Sequence, residues 1–374
     1  MQDRATPANN VLRYQRQMLL PEIGSAGQAK LTAARVMVVG AGGLGCPVLS
    51  YLAAAGIGQL GIVDSDLVEL SNLHRQPLYP QSSVGKAKAL EAARVLSELN
   101  PQISIHPFQL RIDAESVRKL LSGFDIIVDG SDNFATRYLL NDACVELGKT
   151  LVSGSVFRFE GQVSVFNAIL PDGGRGPTYR CLFPEPPPPE LVPSCAESGV
   201  LGVLPGIIGS LQAAEVLKLA LGIGERLVGR LLVFDALSMS FSEVSFKRNE
   251  ETAGTTKLQP AAYYQNLART CPTGVKGISA CELKRMLNDK SDLTLIDVRE
   301  AFEKAQSDIG GELIPLAFIL AETARIPRDR PVIVYCHSGI RSRHAILALE
   351  QDFGFNNLYN LEGGIVAWQK ETDA

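Results

Sequence analysis

The glycine pattern VVGAGGLG at residues 38–45 is the feature that most constrains the fold of this chain. Gly40, Gly42 and Gly45 have the G-x-G-x-x-G spacing and come at the end of the apolar run RVMVVG. Glycines at this spacing allow a tight turn from a strand into a helix, whose first backbone N–H groups can bind an anion. The pattern therefore predicts a strand, a nucleotide-binding loop and then a helix over residues 43–55.

Short apolar runs rich in β-branched residues alternate with helical patterns up to about residue 245. The strand-like runs are 35–40, 58–66, 124–133 and 149–156, and the helical patterns are 43–55, 85–98 and 114–122. Such runs are typical of strands that are buried on both faces of a parallel sheet. With the later strand-like runs 161–168 and 229–246, they predict a doubly wound, Rossmann-like α/β sheet with added antiparallel strands.

A second, smaller α/β pattern follows a polar stretch of the chain. Residues 248–275 have no clear period and contain scattered glycine and proline, which predicts a linker. Helix-like and strand-like runs then alternate over residues 276–374. Because 374 residues suffice for two domains with full cores, we predict one domain over 1–247, a linker over 248–275 and a smaller domain over 276–374.

The charge and hydropathy of the chain argue against several classes of partner. A formal net charge of −4 disfavours a nucleic-acid-binding surface, so local cations must hold any anionic substrate. The first residues contain no apolar signal segment, and no uninterrupted apolar run approaches the roughly 20 residues that span a bilayer. We therefore expect a cytoplasmic protein with no nucleic-acid or membrane partner.

Charged residues near the predicted strand ends distinguish two nucleotide chemistries. Asp64 lies about 20 residues beyond the glycines, where a carboxylate can accept a hydrogen bond from a ribose hydroxyl. Alone, this arrangement fits NAD or FAD binding. Four further charged residues accompany it: Arg75 just after the second strand, Asp132 after another strand, and Arg16 and Lys88 elsewhere. An NAD-dependent oxidoreductase leaves them unexplained, whereas cations for a polyphosphate and a carboxylate for magnesium suit nucleotidyl transfer from ATP.

Six ordered motifs carry a family resemblance. They are GAGGLG (40–45), DSDLVELSNLHRQ (64–76), VGKAKA (84–89), DGSDN (129–133), SGSVFRFEGQVSVF (153–166) and GIIGSLQAAEVLK (206–218). They resemble the adenylating domain of the ubiquitin-activating-enzyme-like superfamily, and within it the adenylyltransferases of molybdopterin-synthase and thiamine sulfur carriers. The resemblance implies a homodimer whose residues 1–247 use ATP and magnesium to adenylate the C-terminal glycine of a small ubiquitin-like carrier protein ending in Gly-Gly.

The same resemblance implies roles for individual residues. The implied ATP-binding residues are Gly40, Gly42, Gly43, Gly45, Asp64, Asn72, Arg75, Lys88 and Asp132. Within this set, the resemblance assigns Asp64 to the ribose, and Arg75 and Lys88 to the phosphates. It assigns Asp132 to magnesium, and it implies that Arg16 enters the site from the other subunit of the homodimer.

The cysteines depart from the pattern of this family. Seven are scattered along the chain without a C-x-x-C pair, at positions 46, 144, 181, 195, 271, 281 and 336. Many relatives hold a structural zinc with two C-x-x-C pairs, but here Cys181 stands alone and 247–256 contains no cysteine. One thiolate cannot hold tetrahedral zinc, so we expect no zinc and a structural role for Cys181. Cys195 matches a cysteine that some relatives place over the adenylate site, where it is either a reactive thiol or inert.

The stretch CHSGIRS at residues 336–342 contains the strongest nucleophile candidate. A strand leads into Cys336, and small residues and a helix follow, so backbone N–H groups are expected to form an anion nest that favours a thiolate. A phosphatase loop requires Cys-x5-Arg, whereas position 342 is serine. The loop Cys336, His337, Ser338, Gly339, Ile340 and Arg341 instead resembles that of rhodanese sulfurtransferases, in which the cysteine carries a persulfide.

Two further motifs extend the rhodanese resemblance across the smaller domain. LIDVRE (295–300) and NLEGGIVAW (360–368) are typical of rhodaneses, whereas residues 307–319 lack the usual small-residue turn. The resemblance implies a structural role for Asp297 and Arg299. It also implies that His337 acts as a loop hydrogen-bond donor and not as a general base.

The two resemblances together predict one function. Adenylation makes the carrier carboxylate a good acyl donor, and a Cys336 persulfide can then attack it to give a carrier thiocarboxylate. The sulfur donor is expected to be a cysteine desulfurase or thiosulfate, and molybdenum cofactor biosynthesis is one of several pathways that use such carriers. Two alternatives stay open at this point: an adenylating or carrier-binding protein with an inactive rhodanese domain, and an NAD-dependent oxidoreductase.

Overall fold

The computed structural model describes residues 7–186, 199–253, 256–268 and 275–372. The described residues up to 268 form one compact unit, and those from 275 onward form a second. The boundary between the units therefore lies later in the chain than the predicted start of the linker at residue 248. Each unit is built around its own sheet and its own hydrophobic core.

The first unit contains the large sheet that the alternating apolar runs predict. Its strands are β1 Arg35–Val39, β2 Gln59–Val63, β3 Ser104–Phe108, β4 Ile126–Asp129, β5 Thr150–Phe157, β6 Glu160–Phe166, β7 Arg230–Asp235 and β8 Ser240–Ser245. Their order is β3-β2-β1-β4-β5-β6-β7-β8. The strands from β3 to β5 are parallel, and β5 to β8 are antiparallel. The predicted fold class is confirmed.

Helices cover both faces of this sheet. They are α1 Pro7–Met18, α2 Gly24–Ala33, α3 Gly45–Ala55, α4 Lys88–Leu99, α5 Val117–Ser122, α6 Phe134–Glu146, α7 Tyr179–Leu182, α8 Leu204–Leu221, α9 Glu250–Ala253 and α10 Ala261–Ala268. Alternate residues of β1 enter two separate cores: Val36 and Val38 pack with α3, α4 and α8, whereas Met37 and Val39 pack with α5 and α6. The strand is apolar from Val36 to Val39, and these residues are buried on both faces of the sheet.

Helix α8 combines length with strong apolarity. Among the described helices, it alone is long and apolar enough to cross a membrane, judged by length and composition. Half of it is buried within the protein, where it packs against α3, β5 and β6. Burial of this kind is the ordinary reason for an apolar helix in a doubly wound fold.

Part of the predicted linker is helical and packed. Helix α10 lies against α6, and the buried Tyr264 hydroxyl donates a hydrogen bond of 2.7 Å to Asp142. Arg180 binds the same carboxylate through two N–H groups, each at 2.7 Å. Because these contacts attach α10 to the first unit, the segment between the packed parts of the two units is shorter than residues 248–275.

The second unit is a smaller parallel sheet with helices. Its strands are β9 Gly277–Ile278, β10 Thr294–Asp297, β11 Glu312–Leu313, β12 Val332–Tyr335 and β13 Leu358–Leu361, in the order β11-β10-β12-β13-β9. Its helices are α11 Ala280–Asn288, α12 Ala301–Gln306, α13 Ile340–Phe353 and α14 Gly364–Thr372. Strand β12 is central and fully buried, so its carboxyl end opens at the middle of the sheet.

Candidate functional site

The glycine loop turns sharply between β1 and α3. Gly40 has a φ of +96°, and a Cβ at this position would lie 2.6 Å from the carbonyl oxygen of Gly130. A Cβ at Gly45 would overlap the carbonyl oxygen of Gly40. Both positions therefore require glycine, and the close packing places the start of α3 against the ends of β1 and β4.

Asp64 holds this loop from the end of β2. Its carboxylate accepts hydrogen bonds from the backbone N–H groups of Ala41 and Asp66, each at 2.8 Å. Burial raises the pKa of Asp64 above its ordinary value, although these two hydrogen bonds and the charge of Lys88 act in the opposite direction. Asp64 thus lies at the glycine loop, where the sequence places it.

Lys88 lies on the other side of Asp66, at the start of α4. Its side chain is buried, and its ammonium nitrogen is 3.1 Å from the carboxylate of Asp66, which is exposed. Tyr79 completes this region, because its buried hydroxyl donates to the carbonyl oxygen of Ala41 at 2.8 Å. Nothing in the local sequence indicates this contact for Tyr79, which joins residues 38 positions apart.

Arg75, Asn72 and Gln76 approach the loop from the segment after β2. The guanidinium of Arg75 donates to the carbonyl oxygen of Ser71 at 3.0 Å and stays partly exposed. Asn72 is buried, and its side-chain oxygen accepts from the N–H of Glu69 at 3.2 Å, which gives it a structural contact in addition to the predicted binding role. Gln76 was not predicted; it is only 3% exposed, and within the described ranges its Oε1 has no hydrogen-bond partner.

Two carboxylates lie at the carboxyl end of β4, Asp129 within the strand and Asp132 after it, and only Asp132 is available to a ligand. Asp129 is fully buried and accepts hydrogen bonds from the N–H and hydroxyl of Ser131 and from the hydroxyl of Ser153. It also lies 3.4 Å from the guanidinium of Arg137. Asp132 is exposed just before α6, and within the described ranges no hydrogen bond or ion pair occupies its carboxylate.

Arg16 is not part of this cluster in the single chain. It is exposed in the last turn of α1, and it makes no hydrogen bond or ion pair within the residues that the structure describes. The structure therefore brings Asp64, Arg75, Lys88 and the glycines together but leaves Arg16 outside.

Cys181 is surrounded by hydrogen-bond donors. Its sulfur accepts from the N–H groups of Thr178 at 3.3 Å and Asn249 at 3.4 Å, and the hydroxyl of Thr252 lies 3.8 Å away. Burial opposes ionisation of Cys181, but these hydrogen bonds outweigh it and lower the pKa of the thiol. Among the residues described, no group of three or more potential ligands could hold a metal. Cys195 lies outside the described residues.

The cysteine loop follows β12 and is shaped by glycine. Cys336 is fully buried, and its sulfur accepts a hydrogen bond of 3.1 Å from the N–H of Gly339. The hydroxyl of Ser342 is 3.4 Å from the sulfur and 2.6 Å from Oδ1 of Asn360. Gly339 has a φ of +87° and is the N-cap of α13, whose first residue is Ile340. His337 is exposed at the loop surface.

The start of α14 holds the backbone of this loop. The N–H of Ile365 donates to the carbonyl oxygen of Cys336 at 2.9 Å, and that of Val366 to the carbonyl oxygen of His337 at 3.2 Å. Gly364 has a φ of +58°, and a Cβ there would overlap the carbonyl oxygen of Cys336. The glycines of NLEGGIVAW therefore allow α14 to approach the cysteine loop closely.

Two arginine–carboxylate pairs lie beside the loop. Asp297 and Arg299 are both buried and form an ion pair of 2.8 Å, which fits their predicted structural role. Arg341, the last residue of the loop, forms two hydrogen bonds with Glu303 of α12, at 2.7 and 2.6 Å. The second pair was not predicted, because its residues are 38 positions apart in sequence.

Comparisons with known proteins find a matching family for each of the two units. The family model of the ThiF family matches residues 14–255, and that of the rhodanese-like domain matches residues 279–371. A probable adenylyltransferase/sulfurtransferase, MoeZ of Mycobacterium tuberculosis, is 44% identical over 98% of this chain and 95% of its own length. The adenylyltransferase and sulfurtransferase MOCS3 of Xenopus laevis is 39% identical over 97% of this chain and 87% of its own length.

Two further relatives match the first unit. The sulfur carrier protein adenylyltransferase of Thermus thermophilus is 55% identical over 63% of this chain and 88% of its own length. The crystal structure of E. coli MccB with ATP matches 63% of this chain and 71% of that chain, with a TM-score of 0.54 and 24% identity. At this identity the structural match supports the fold alone.

Proposed function

The chain belongs to the ThiF family and carries a C-terminal rhodanese-like domain, and from this premise we propose that it adenylates a small ubiquitin-like sulfur-carrier protein and then transfers sulfur to it from Cys336. The family and the full-length relatives identify the chain as an adenylyltransferase and sulfurtransferase that uses ATP. The observation that carries the proposal is the presence, in one chain, of a glycine loop beside Asp64 and Lys88 and of a cysteine loop around Cys336.

The glycine loop and its neighbours support ATP binding. The start of α3 offers backbone N–H groups to a phosphate, and Lys88 and Arg75 supply positive charge nearby. The side chain of Gln76 lies beside this loop, since its amide nitrogen is 3.5 Å from the position of a Cβ on Gly42. Its buried Oε1 has no hydrogen-bond partner among the described residues. A buried acceptor without a partner is costly, and a donor group of the nucleotide would satisfy it.

Asp132 fits a magnesium ion better than Asp129 does. Magnesium in nucleotide sites is commonly held by one or two carboxylates and by phosphate oxygens. The oxygens of Asp129 are already taken by Ser131, Ser153 and Arg137, whereas those of Asp132 face solvent. When bound, the ion would supply positive charge to the phosphates.

The first step we propose is adenylation of the carrier. A carboxylate oxygen of its terminal glycine attacks the α-phosphorus of ATP, and the bond to the β-phosphate breaks, so that pyrophosphate leaves with the electron pair. Negative charge grows on the phosphates, and Lys88 and Arg75 stabilise it. We further propose that Arg16 of a second subunit adds to this charge stabilisation, which makes a homodimer the active form.

The second step transfers sulfur. The terminal sulfur of a Cys336 persulfide attacks the acyl carbon of the carrier adenylate, AMP leaves, and an acyl disulfide joins the carrier to Cys336. A second thiolate then attacks the sulfur of Cys336 and releases the carrier thiocarboxylate. We propose Cys195 for this role, followed by reduction of the resulting disulfide by a cellular thiol. The N–H of Gly339 stabilises the charge that develops on sulfur.

The edge of the large sheet is the surface that we propose for carrier docking. Strand β8 lies at this edge, and all of its residues are exposed. Phe241 and Val244 on the strand, and Leu237 and Met239 just before it, are exposed apolar side chains. An unprotected edge strand with apolar residues suits a protein partner. We place the protein in the cytoplasm, where its carrier and a persulfide donor would be available.

Intact mass spectrometry of carrier proteins tests this function. Each protein of a panel that ends in Gly-Gly is incubated with this chain, magnesium ATP, L-cysteine and a cysteine desulfurase. We expect one carrier to exchange one oxygen for sulfur, and we expect this change to require both ATP and Cys336. Controls omit ATP or use the Cys336→Ala variant. Release of AMP and pyrophosphate without sulfur gain would leave adenylation in place and contradict the sulfur-transfer half of the proposal.

A further inference from the structure

The Arg341–Glu303 pair fixes the only permanently charged cation of the cysteine loop. Arg341 is the last loop residue and lies in the first turn of α13, and Glu303 lies on α12. Both guanidinium NH2 groups bind the carboxylate, at 2.7 and 2.6 Å, and the two side chains are only 16% and 18% exposed. A bidentate pair with this little exposure has a defined geometry, unlike an exposed surface pair.

Glu303 is itself held in place at the start of α12. Its carboxylate also accepts a hydrogen bond of 3.0 Å from the N–H of Glu300, which forms a capping box. Burial opposes ionisation of Glu303, but the hydrogen bonds from Arg341 and Glu300 outweigh it and lower the pKa of this carboxyl. Glu303 is therefore charged at neutral pH, and its position does not depend on Arg341 alone.

The pair takes up the positive charge of the one arginine in the cysteine loop. The charge of Arg341 is cancelled by Glu303, and the nearby Arg299 is cancelled by Asp297. The observed hydrogen bond to the sulfur comes from an uncharged donor, the N–H of Gly339, with the Ser342 hydroxyl next to it. Such donors suit the single negative charge of a persulfide. A small dianion such as thiosulfate needs an available cation as it approaches.

We propose that Glu303 determines the specificity of sulfur acceptance: by holding Arg341 it disfavours thiosulfate and other small sulfur dianions, and it leaves a cysteine persulfide carried by a donor protein as the sulfur source. This inference rests on the proposed function, since it takes Cys336 as the sulfur acceptor. Glu303 acts through Arg341 and does not itself contact the transferred sulfur.

The chemical step is the same for either donor and is balanced without a further reagent. The Cys336 thiolate attacks the outer sulfur of the donor, and a sulfur–sulfur bond forms to Cys336. The bond between that sulfur and the donor breaks, and the donor keeps the electron pair. The leaving group is sulfite from thiosulfate and a cysteine thiolate from a persulfide, so only its charge and size differ.

The Glu303→Gln variant separates the two donors. Glutamine keeps an acceptor for the N–H of Glu300 and for one N–H of Arg341, but it removes the negative charge. Persulfide formation on Cys336 is followed by intact mass in two arms, one with thiosulfate and one with a cysteine desulfurase and L-cysteine. The thiosulfate ratio is the kcat/KM for thiosulfate divided by the rate with the desulfurase. We expect this ratio to rise about tenfold or more in Glu303→Gln.

Two other variants test whether the effect passes through Arg341. Arg341→Gln alone leaves Glu303 uncompensated, so the thiosulfate ratio should fall several-fold, in the opposite direction. The double variant Glu303→Gln with Arg341→Gln should return close to the wild-type ratio. Glu282→Gln is the matched control, because Glu282 closes the same kind of capping box on α11 and should not change the ratio.

The outcomes distinguish this inference from the proposed function. If the wild-type chain accepts sulfur from the desulfurase but Glu303→Gln leaves the thiosulfate ratio unchanged, the role of Glu303 is wrong and the proposed function stands. A gain that persists in the double variant would also overturn the role of Glu303. If Cys336 gains sulfur from neither donor, the proposed function fails and this inference fails with it.

Discussion

The glycine loop and the cysteine loop have similar positions in their sheets but different chemical surroundings. Each follows a central parallel strand, β1 or β12, and leads into a helix, α3 or α13. A half-buried carboxylate, Asp64, holds the glycine loop, and cations lie around it. The cysteine loop is held by backbone N–H groups of α14, and its one permanent cation is paired with Glu303.

This difference fits the charge that each loop has to hold. A triphosphate carries several negative charges spread over many oxygens, so it requires several separate cations. A persulfide carries one charge on sulfur, which a few N–H and hydroxyl donors can stabilise.

Removal of the sulfur acceptor is expected to have the largest effect. Cys336→Ala should lower carrier thiocarboxylate formation by a factor of about 1,000 or more, because it removes the thiol that carries the persulfide. Carrier-dependent ATP–pyrophosphate exchange should stay at the wild-type rate. Both reactions are measured on the same preparation, and a parallel loss of exchange would show that the two loops do not act independently.

The reciprocal change removes the carboxylate that holds the glycine loop. Asp64→Ala should lower ATP–pyrophosphate exchange by about 100-fold or more, because it leaves the N–H groups of Ala41 and Asp66 without their acceptor and removes a polar group from the site. Persulfide formation on Cys336 is the internal control, since it should be unaffected. Normal exchange in this variant would contradict the role of Asp64.

Backbone strain distinguishes the cysteine loop from an ordinary helix end. In Gly339→Ala, the new Cβ would lie 2.9 Å from the carbonyl oxygen of Leu361, at a φ of +87°. We expect persulfide formation to fall about tenfold and the second unit to lose about 1–3 kcal/mol of stability. Gly354→Ala is the matched control: Gly354 has a φ of +67° and open space around it, so it should lose stability but keep the reaction rate.

A substitution in the edge strand β8 should affect only the adenylation reaction. Phe241→Ser removes an exposed aromatic side chain from the proposed carrier-docking surface, and we expect the KM for the carrier in ATP–pyrophosphate exchange to rise about tenfold. The exchange rate at saturating carrier should change little. The rate of persulfide formation on Cys336 should also change little. An unchanged KM would exclude Phe241 from the docking surface.

The smallest expected effect concerns Cys181 and pH. Its pKa is lowered in the folded state, so folding binds fewer protons to this thiol than the unfolded chain does, and stability from this group rises with pH. The added stability is complete above the ordinary thiol pKa of about 8.5 and is lost as pH falls through the lower folded pKa. Urea unfolding of wild-type and Cys181→Ala proteins across this range should show a widening gap as pH rises.

The local motifs were predictable from sequence, and the contacts that tune them were not. The glycine loop, Asp64 and Cys336 depend on short spacings between a strand end and a helix start, which the sequence shows directly. Tyr79, Gln76 and Glu303 reach the loops through packing between elements far apart in sequence, and no local pattern indicates such contacts. Tyr264 is a similar case, because its bond to Asp142 spans 122 positions and converts part of the predicted linker into a packed helix.

The central claim is that the glycine loop and then the cysteine loop act on one carrier molecule. Detection of the acyl disulfide between the carrier and Cys336 tests this claim most directly. The chain is first loaded with sulfur by a cysteine desulfurase and L-cysteine, then mixed with carrier and magnesium ATP, quenched in acid and analysed without reducing agent by intact mass. The account predicts an adduct of chain and carrier that maps to Cys336, requires ATP and is released as carrier thiocarboxylate by added thiol. Thiocarboxylate formation by the Cys336→Ala chain would contradict it.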